Sequence, residues 1–188
     1  SAYCAKNFVL MITDGASTKD AWLPASVKDF ADGKASANDF LAGPETADDC
    51  DEAWPYNGCE YTSGGTDYLK DVALWARTHD IRTDIDDIQS VVLYTVYAFG
   101  QENNARELLK QAAKNGGFID RDGDNLPSGL VTDAPEDRLE WDENGDGLPD
   151  TYFEASDGAK LQDALGDAIR DILARSASGT AASVLATN

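Results

Sequence analysis

The amino-acid sequence predicts an α/β fold, part of a doubly wound parallel sheet interrupted by an acidic insertion. Three observations predict it. Two runs, residues 8–13 (FVLMIT) and 91–100 (VVLYTVYAFG), are apolar on both faces, as central strands sandwiched between helices are. Amphipathic helical patterns follow both runs, and strands alternating with helices join into a parallel sheet through crossovers. Between the last two helical patterns, residues 118–154 are dense in Asp, Asn and Gly.

The first run stops at Asp14-Gly15, where glycine supplies a sharp turn. Residues 16–65 are rich in Ala, Ser, Asp, Gly and Pro. They read as a long excursion with short helices near 25–30 and 37–41, and loops of this length are functional or tied down. Thr66 is a helix N-cap with Asp67 in the first turn. Its helix runs to about residue 78, with Leu69, Val72, Ala73 and Ala76 on one face. A polar connection over 80–87 leads into the second strand, closed by Gly100. The next helix, 104–114, buries Ala105, Leu108, Leu109 and Ala112, and Asn115-Gly116-Gly117 ends it. Short strands are expected at 117–119 and 151–154. The clearest helix spans 158–175, where Leu161, Leu165, Ile169, Ile172 and Leu173 repeat beside Ala164 and Ala168.

One domain is therefore expected over 1–175, followed by a linker or extended tail over 176–188. The strand at 8–13 is apolar on both faces and should not sit at a bare sheet edge. A missing N-terminal half or a partner chain is expected to pair with it.

The chain holds 35 Asp+Glu against 15 Lys+Arg, a formal charge of −20. Such a surface repels nucleic-acid phosphates and anionic lipid headgroups, and no apolar run is long enough to span a membrane. Nucleic acid and membrane are thus not expected partners. Twelve acidic residues fall between Asp120 and Glu154, against only Arg121 and Arg138. That density repels itself unless cations offset it. The single histidine, His79, has no nucleophile motif around it, so no enzymatic activity is expected. Cys50 and Cys59 flank a turn-rich segment able to close as a disulfide; the alternative is free thiols. Cys4 is left over.

Two segments of the insertion share the pattern D-x-[DN]-G-D-[NG]-L-P, one beginning at Asp120 and one at Asp142. Calcium takes six to eight oxygens, supplied by a loop from positions one, three and five and from the carbonyl at seven. In the first loop these are Asp120, Asp122, Asp124 and the Leu126 carbonyl. In the second they are Asp142, Asn144, Asp146 and the Leu148 carbonyl, with Asp150 at position nine. Gly147 and Asn125 stand at position six, where the chain turns sharply and asparagine tolerates the left-handed conformation. The bidentate glutamate at position twelve is missing: Val131 and Phe153 stand there. Glu154, one residue late, is the expected substitute. One or two Ca2+ ions are expected, with weak affinity near ~10⁻⁴ to 10⁻³ M as in extracellular modules. The insertion has few apolar residues, so coordination would supply what its small core cannot. The plain alternative is a solvated acidic loop.

Thr13-Asp14-Gly15 at a strand end resembles the fourth-strand motif of von Willebrand factor A domains, a Rossmann-like fold. Further strings point the same way: Cys4-Ala5-Lys6-Asn7-Phe8-Val9, then Tyr68-Leu69-Lys70-Asp71-Val72-Ala73 leading to His79-Asp80-Ile81-Arg82. Asn115-Gly116-Gly117, Tyr152-Phe153-Glu154-Ala155, Leu161-Gln162-Asp163-Ala164-Leu165 and the closing Ser178-Gly179-Thr180-Ala181-Ala182-Ser183-Val184 complete the set. Together they resemble the C-terminal half of the von Willebrand A-like domain in PilY-type type IV pilus tip proteins. The resemblance implies export through the periplasm to the cell surface, contact with other pilus components, and calcium-dependent adhesion or pilus biogenesis at the tip. Of the superfamily's metal-ion-dependent adhesion site only Asp14 is present, so Asp14 either completes that site with the missing half or is a strand-end turn residue. The alternative is a structural subunit of an extracellular filament or cap, completed by strand pairing.

Overall fold

The computed structural model describes residues 6–20, 22–24, 26–27, 30, 65–127 and 137–185, with 137 and 178–185 as backbone only. Three strands form one parallel sheet in chain order: β1 (Asn7–Thr13), β2 (Val91–Ala98) and β3 (Tyr152–Ala155). Asn7 to Thr13 pair with Val91 to Tyr97, and Thr95 to Ala98 pair with Tyr152 to Ala155. Helix α1 (Leu69–Thr78) precedes β2, α2 (Asn103–Gly117) follows it, and α3 (Gly158–Leu185) follows β3. The described residues are thus α/β, with a three-stranded parallel sheet and three α-helices. Among the described residues no helix is long and apolar enough to cross a membrane.

The period-two alternation of a strand sorts the core into two layers. Leu93 and Tyr97 face one side, where they pack with Ala73 of α1 and with Ala105, Leu109, Ala112 and Ala113 of α2. Val92 and Tyr94 face the other, where they pack with Ala168 and Ile172 of α3. Both faces of β2 are covered, so Val92 to Ala98 are buried throughout. The Tyr94 hydroxyl donates to Asp171 Oδ2 at 2.5 Å, and Arg175 Nε donates to the same oxygen at 2.9 Å. Burial, and then the Asp171 bond, push the Tyr94 hydroxyl well above its ordinary pKa.

Several boundaries differ from the sequence expectation, each for a physical reason. Thr66 lies ahead of α1, and its Oγ1 accepts the Tyr68 N–H at 3.4 Å. The deeply buried face of α1 centres on Ala73 and Leu74. Asn115, Gly116 and Gly117 form the last turn of α2, and no strand forms at 117–119. The glycines serve close approach there: a Cβ on Gly116 would lie 2.7 Å from Leu93 Cβ, and one on Gly117 2.1 Å from Thr151 Oγ1. Gly100 likewise makes room for the Tyr97 ring, while the left-handed turn falls on Phe99, at φ 62°. Residues 176–185, expected as an extended tail, continue α3 as helix. The buried seam of α3 runs through Ala164 and Ala168, and Ile169 and Leu173 are exposed. The short helix expected at 37–41 lies outside the described residues.

The point where the insertion leaves α2 is gripped from both sides. Arg77 of α1 donates Nε and Nη2 to the Phe118 carbonyl, at 3.1 and 2.9 Å. Arg175 of α3 donates Nη1 to the Gly117 carbonyl at 2.9 Å. These carbonyls at a helix C-terminus have no partner within the helix, and cations complement them. Replacing Gly117 by Ala would drive a methyl into Thr151, whose hydroxyl is buried and donates to the Ala113 carbonyl. Gly117→Ala should destabilise the fold by about 1–3 kcal/mol, read as a lowered thermal midpoint.

Candidate metal centre

The two acidic loops adopt the same local backbone, because their side chains bond their own main chain. In the first loop, Asp120 Oδ1 accepts the Gly123 N–H at 2.8 Å, Asp122 Oδ1 that of Asp124 at 3.0 Å, and Asp124 Oδ1 that of Leu126 at 2.7 Å. In the second, Asn144 Oδ1 accepts the Asp146 N–H and Asp146 Oδ1 that of Leu148, both at 2.8 Å. Such Asx turns are what short polar side chains offer a chain outside regular structure. Positive φ falls at position four in each loop, on Gly123 (87°) and Gly145 (75°), and at position six, on Asn125 (62°) and Gly147 (85°). The left-handed conformation expected at Asn125 is present.

Among the described residues, one group of three acidic side chains brings its oxygens within 4.8 Å of one another: Asp120, Asp122 and Glu140. Asp120 and Asp122 come from the first loop. Glu140 comes from a 3-10 turn, Asp137–Glu140, and is only 3% exposed. Two bonds tie that turn to the loop's start: Arg121 N–H to Glu140 Oε1 at 2.7 Å, and Ile119 N–H to the Glu140 carbonyl at 2.8 Å. Glu140 therefore adds a third carboxylate to the two of the first loop. The sequence reading missed it because it lies outside the loop's own register. Its signal is the neighbouring Trp141, which packs with Leu74, Phe118 and Leu126 and pins the turn to the α/β body.

In the second loop Asp142 is 1% exposed. Its Oδ2 accepts the Gly147 N–H at 3.0 Å and a bond from Arg138 Nη2 at 2.6 Å. Its Oδ1 is buried without a hydrogen-bond partner among the described residues. Asp150 Oδ2 accepts the Glu143 N–H at 2.9 Å. Partial burial nonetheless pushes the Asp150 carboxyl above the ordinary carboxylate range. Among the described residues, the acidic side chains of this loop do not form a group of three within 4.8 Å.

The remaining candidate residues stand apart. Glu154, expected to close the second loop, lies on β3. Both its oxygens accept from Arg106 Nε, at 3.0 and 3.2 Å, and Oε2 accepts from the Tyr152 hydroxyl at 2.9 Å. An ion-paired carboxylate facing α2 is engaged elsewhere. Asp14 is exposed in the turn after β1 and belongs to no acidic group of three among the described residues. The Leu126 side chain packs against the body, whereas Leu148 is 38% exposed. Cys50 and Cys59, the candidate disulfide, lie outside the described residues, as do Cys4 and Val131. His79 stacks on Trp75 at 4.9 Å, and its Nδ1 lies 3.1 Å from the Trp75 carbonyl.

Replacing Glu140 by Gln keeps the shape of the site and removes its buried charge. Were calcium to occupy the cluster, Glu140→Gln should leave the fold intact and cost one ion, or at least tenfold in its affinity, read by calorimetric titration with calcium. Comparison with protein-family models, curated proteins and solved structures returns no match.

Proposed function

We propose that this chain is a calcium-binding module of an extracellular protein, in which the ion fixes the acidic insertion to the α/β body. The convergence of Asp120, Asp122 and Glu140 carries the reading. Three carboxylates at this spacing are a hard, anionic oxygen set suited to a hard divalent cation, and flexible loop geometry suits calcium better than magnesium. Glu140 lies beyond the first loop in the chain, just before the second, so an ion between it and the first loop closes the intervening segment, and binding energy becomes folding energy. The second loop, with Asp142, Asn144, Asp146 and Asp150, offers a second ion the same backbone frame.

Location and biological role rest on the sequence resemblance. On that ground we place the module in a von Willebrand A-like domain at a type IV pilus tip, acting in adhesion or pilus biogenesis. The sheet supports the coarser part of this, an α/β arrangement with helices on both faces of parallel strands.

One observation favours a second reading, a subunit completed by a neighbour. Among the described residues β1 lies at the sheet edge, and Val9 and Ile12, on opposite faces, are 46% and 49% exposed. A strand apolar on both faces is suited to a central place. A further strand from an N-terminal half or a partner chain would cover it.

Calorimetric titration of the chelated chain should show one or two calcium ions, with magnesium much weaker. No calcium-specific heat and no rise in melting temperature would reduce the insertion to a solvated loop. Limited proteolysis within 118–154 should slow on adding calcium; equal rates with and without chelator would remove the structural role. For the second reading, hydrogen exchange at β1 should be slower in the assembled protein than in this chain alone, and unchanged exchange would exclude strand pairing there.

A further inference from the structure

We propose that Arg138 is the resident counter-cation of the second loop, and that a divalent ion bound at Asp142 Oδ1 must push it aside. The inference rests on the calcium reading and adds what regulates the affinity of the second loop.

The argument begins with the two oxygens of one carboxylate. Asp142 is 1% exposed. Its Oδ2 takes the Gly147 N–H from across the loop, so the carboxylate lies inside the turn. The same oxygen takes Arg138 Nη2 at 2.6 Å. Oδ1 takes no donor among the described residues, although it is buried. A buried acceptor with no donor is costly and uncommon in native structures. Its natural complement is a cation that brings its own charge to that side. A carboxylate with one oxygen held by the sixth-position N–H and the other left free offers that cation a single, oriented ligand atom.

Arg138 lies next to that position. Its carbonyl accepts the N–H groups of Trp141 and Asp142, at 3.1 and 2.8 Å, so its backbone is fixed in the turn that opens the loop. Its guanidinium lies along the loop's sixth position, with Nη2 3.8 Å from where a Cβ on Gly147 would stand. A carboxylate shares one negative charge between two oxygens. A guanidinium on Oδ2 therefore draws charge from Oδ1 and repels a dication bound there.

The same guanidinium has somewhere else to rest. The Arg138 side chain is 48% exposed, and its Cζ lies 5.5 Å from the centroid of the Trp141 ring. It can leave Asp142 for water while keeping the ring face, and an ion arriving at Oδ1 supplies the positive charge that the buried carboxylate would otherwise lose. Arg138 thus neutralises Asp142 when no ion is bound and weakens the ion when one is. This makes the loop responsive at high rather than trace calcium.

The test titrates calcium into the chelated wild type, Arg138→Gln, Arg138→Lys and Asp142→Asn, and melts each with and without the ion. Arg138→Gln should bind calcium about tenfold more tightly at one site, since a single charge beside the ion is removed. It should also melt lower than wild type without calcium, with the gap closing at saturation. Arg138→Lys keeps the charge and should stay within about twofold of wild type. Asp142→Asn should lose one ion. Unchanged or weaker calcium binding in Arg138→Gln would overturn the inference, because Arg138 would then position Asp142 rather than compete for it. Equal tightening in the Gln and Lys variants would overturn it too, since shape and not charge would be the cause. Full stoichiometry in Asp142→Asn would remove Asp142 as the ligand. These outcomes leave calcium binding by the chain standing, whereas a wild type that takes up no calcium defeats both readings together.

Discussion

Two guanidinium groups, one from each helical layer, hold the end of α2, and the placement of the acidic insertion depends on them. Arg77 reaches the Phe118 carbonyl from α1 and Arg175 reaches the Gly117 carbonyl from α3. Arg77 is buried enough that desolvation lowers its pKa from the ordinary value, and its guanidinium also lies over the Phe118 ring, 5.0 Å from the centroid. Charged donors on otherwise orphaned carbonyls make stronger bonds than neutral ones. Phe118 is held between these contacts and its packing with Leu74 and Trp141. Ile119 and Arg121 then bond to Glu140, and the first loop starts from a fixed origin. The position of the acidic oxygens is thus inherited from the junction of all three helices, not from the loop alone.

The layers and the site share a logic of burial. β2 is covered on both faces, and its tyrosines place hydroxyl groups at the margins of the core, where Asp171 and the main chain of Glu102 meet them. In the insertion the apolar contribution is small, and among the described residues Phe118, Leu126 and Trp141 cluster with Leu74 of the body. The two loops themselves are organised by side-chain oxygens accepting backbone N–H groups. Such bonds fix local shape at modest net energy, leaving carboxylate charge gathered at one end.

Much of this was legible in the sequence, and the rest was not for definite reasons. The strands at 8–13 and 91–98, and the buried set Ala105, Leu108, Leu109 and Ala112 of α2, follow from periodicity, which reports burial directly. The paired loops follow from residue type, because Asp, Asn and Gly at fixed offsets dictate the turns they make. The glycines of α2 were misread, since a glycine wanted for space and one wanted for a turn look alike in a sequence. The buried seam of α3 was misplaced because alanine carries little hydrophobic signal yet allows the closest approach to the sheet. Glu140 was invisible to motif spacing because it reaches the first loop through tertiary structure, and the stretch that separates them carries no pattern that fixes its path.

The likeness of the two loops has a consequence for how such a chain changes over time. Each loop is closed by its own side-chain-to-backbone bonds and by left-handed residues at the same two positions. Neither borrows its local shape from the sheet. A segment with that property can be copied in tandem and set into a crossover without redesign of the scaffold, provided that its two ends remain pinned. Here one end is pinned at α2 and the other where Asp150 bonds back to Trp141. Gain or loss of a single such loop would therefore change the length of the crossover while leaving the α/β body as it is.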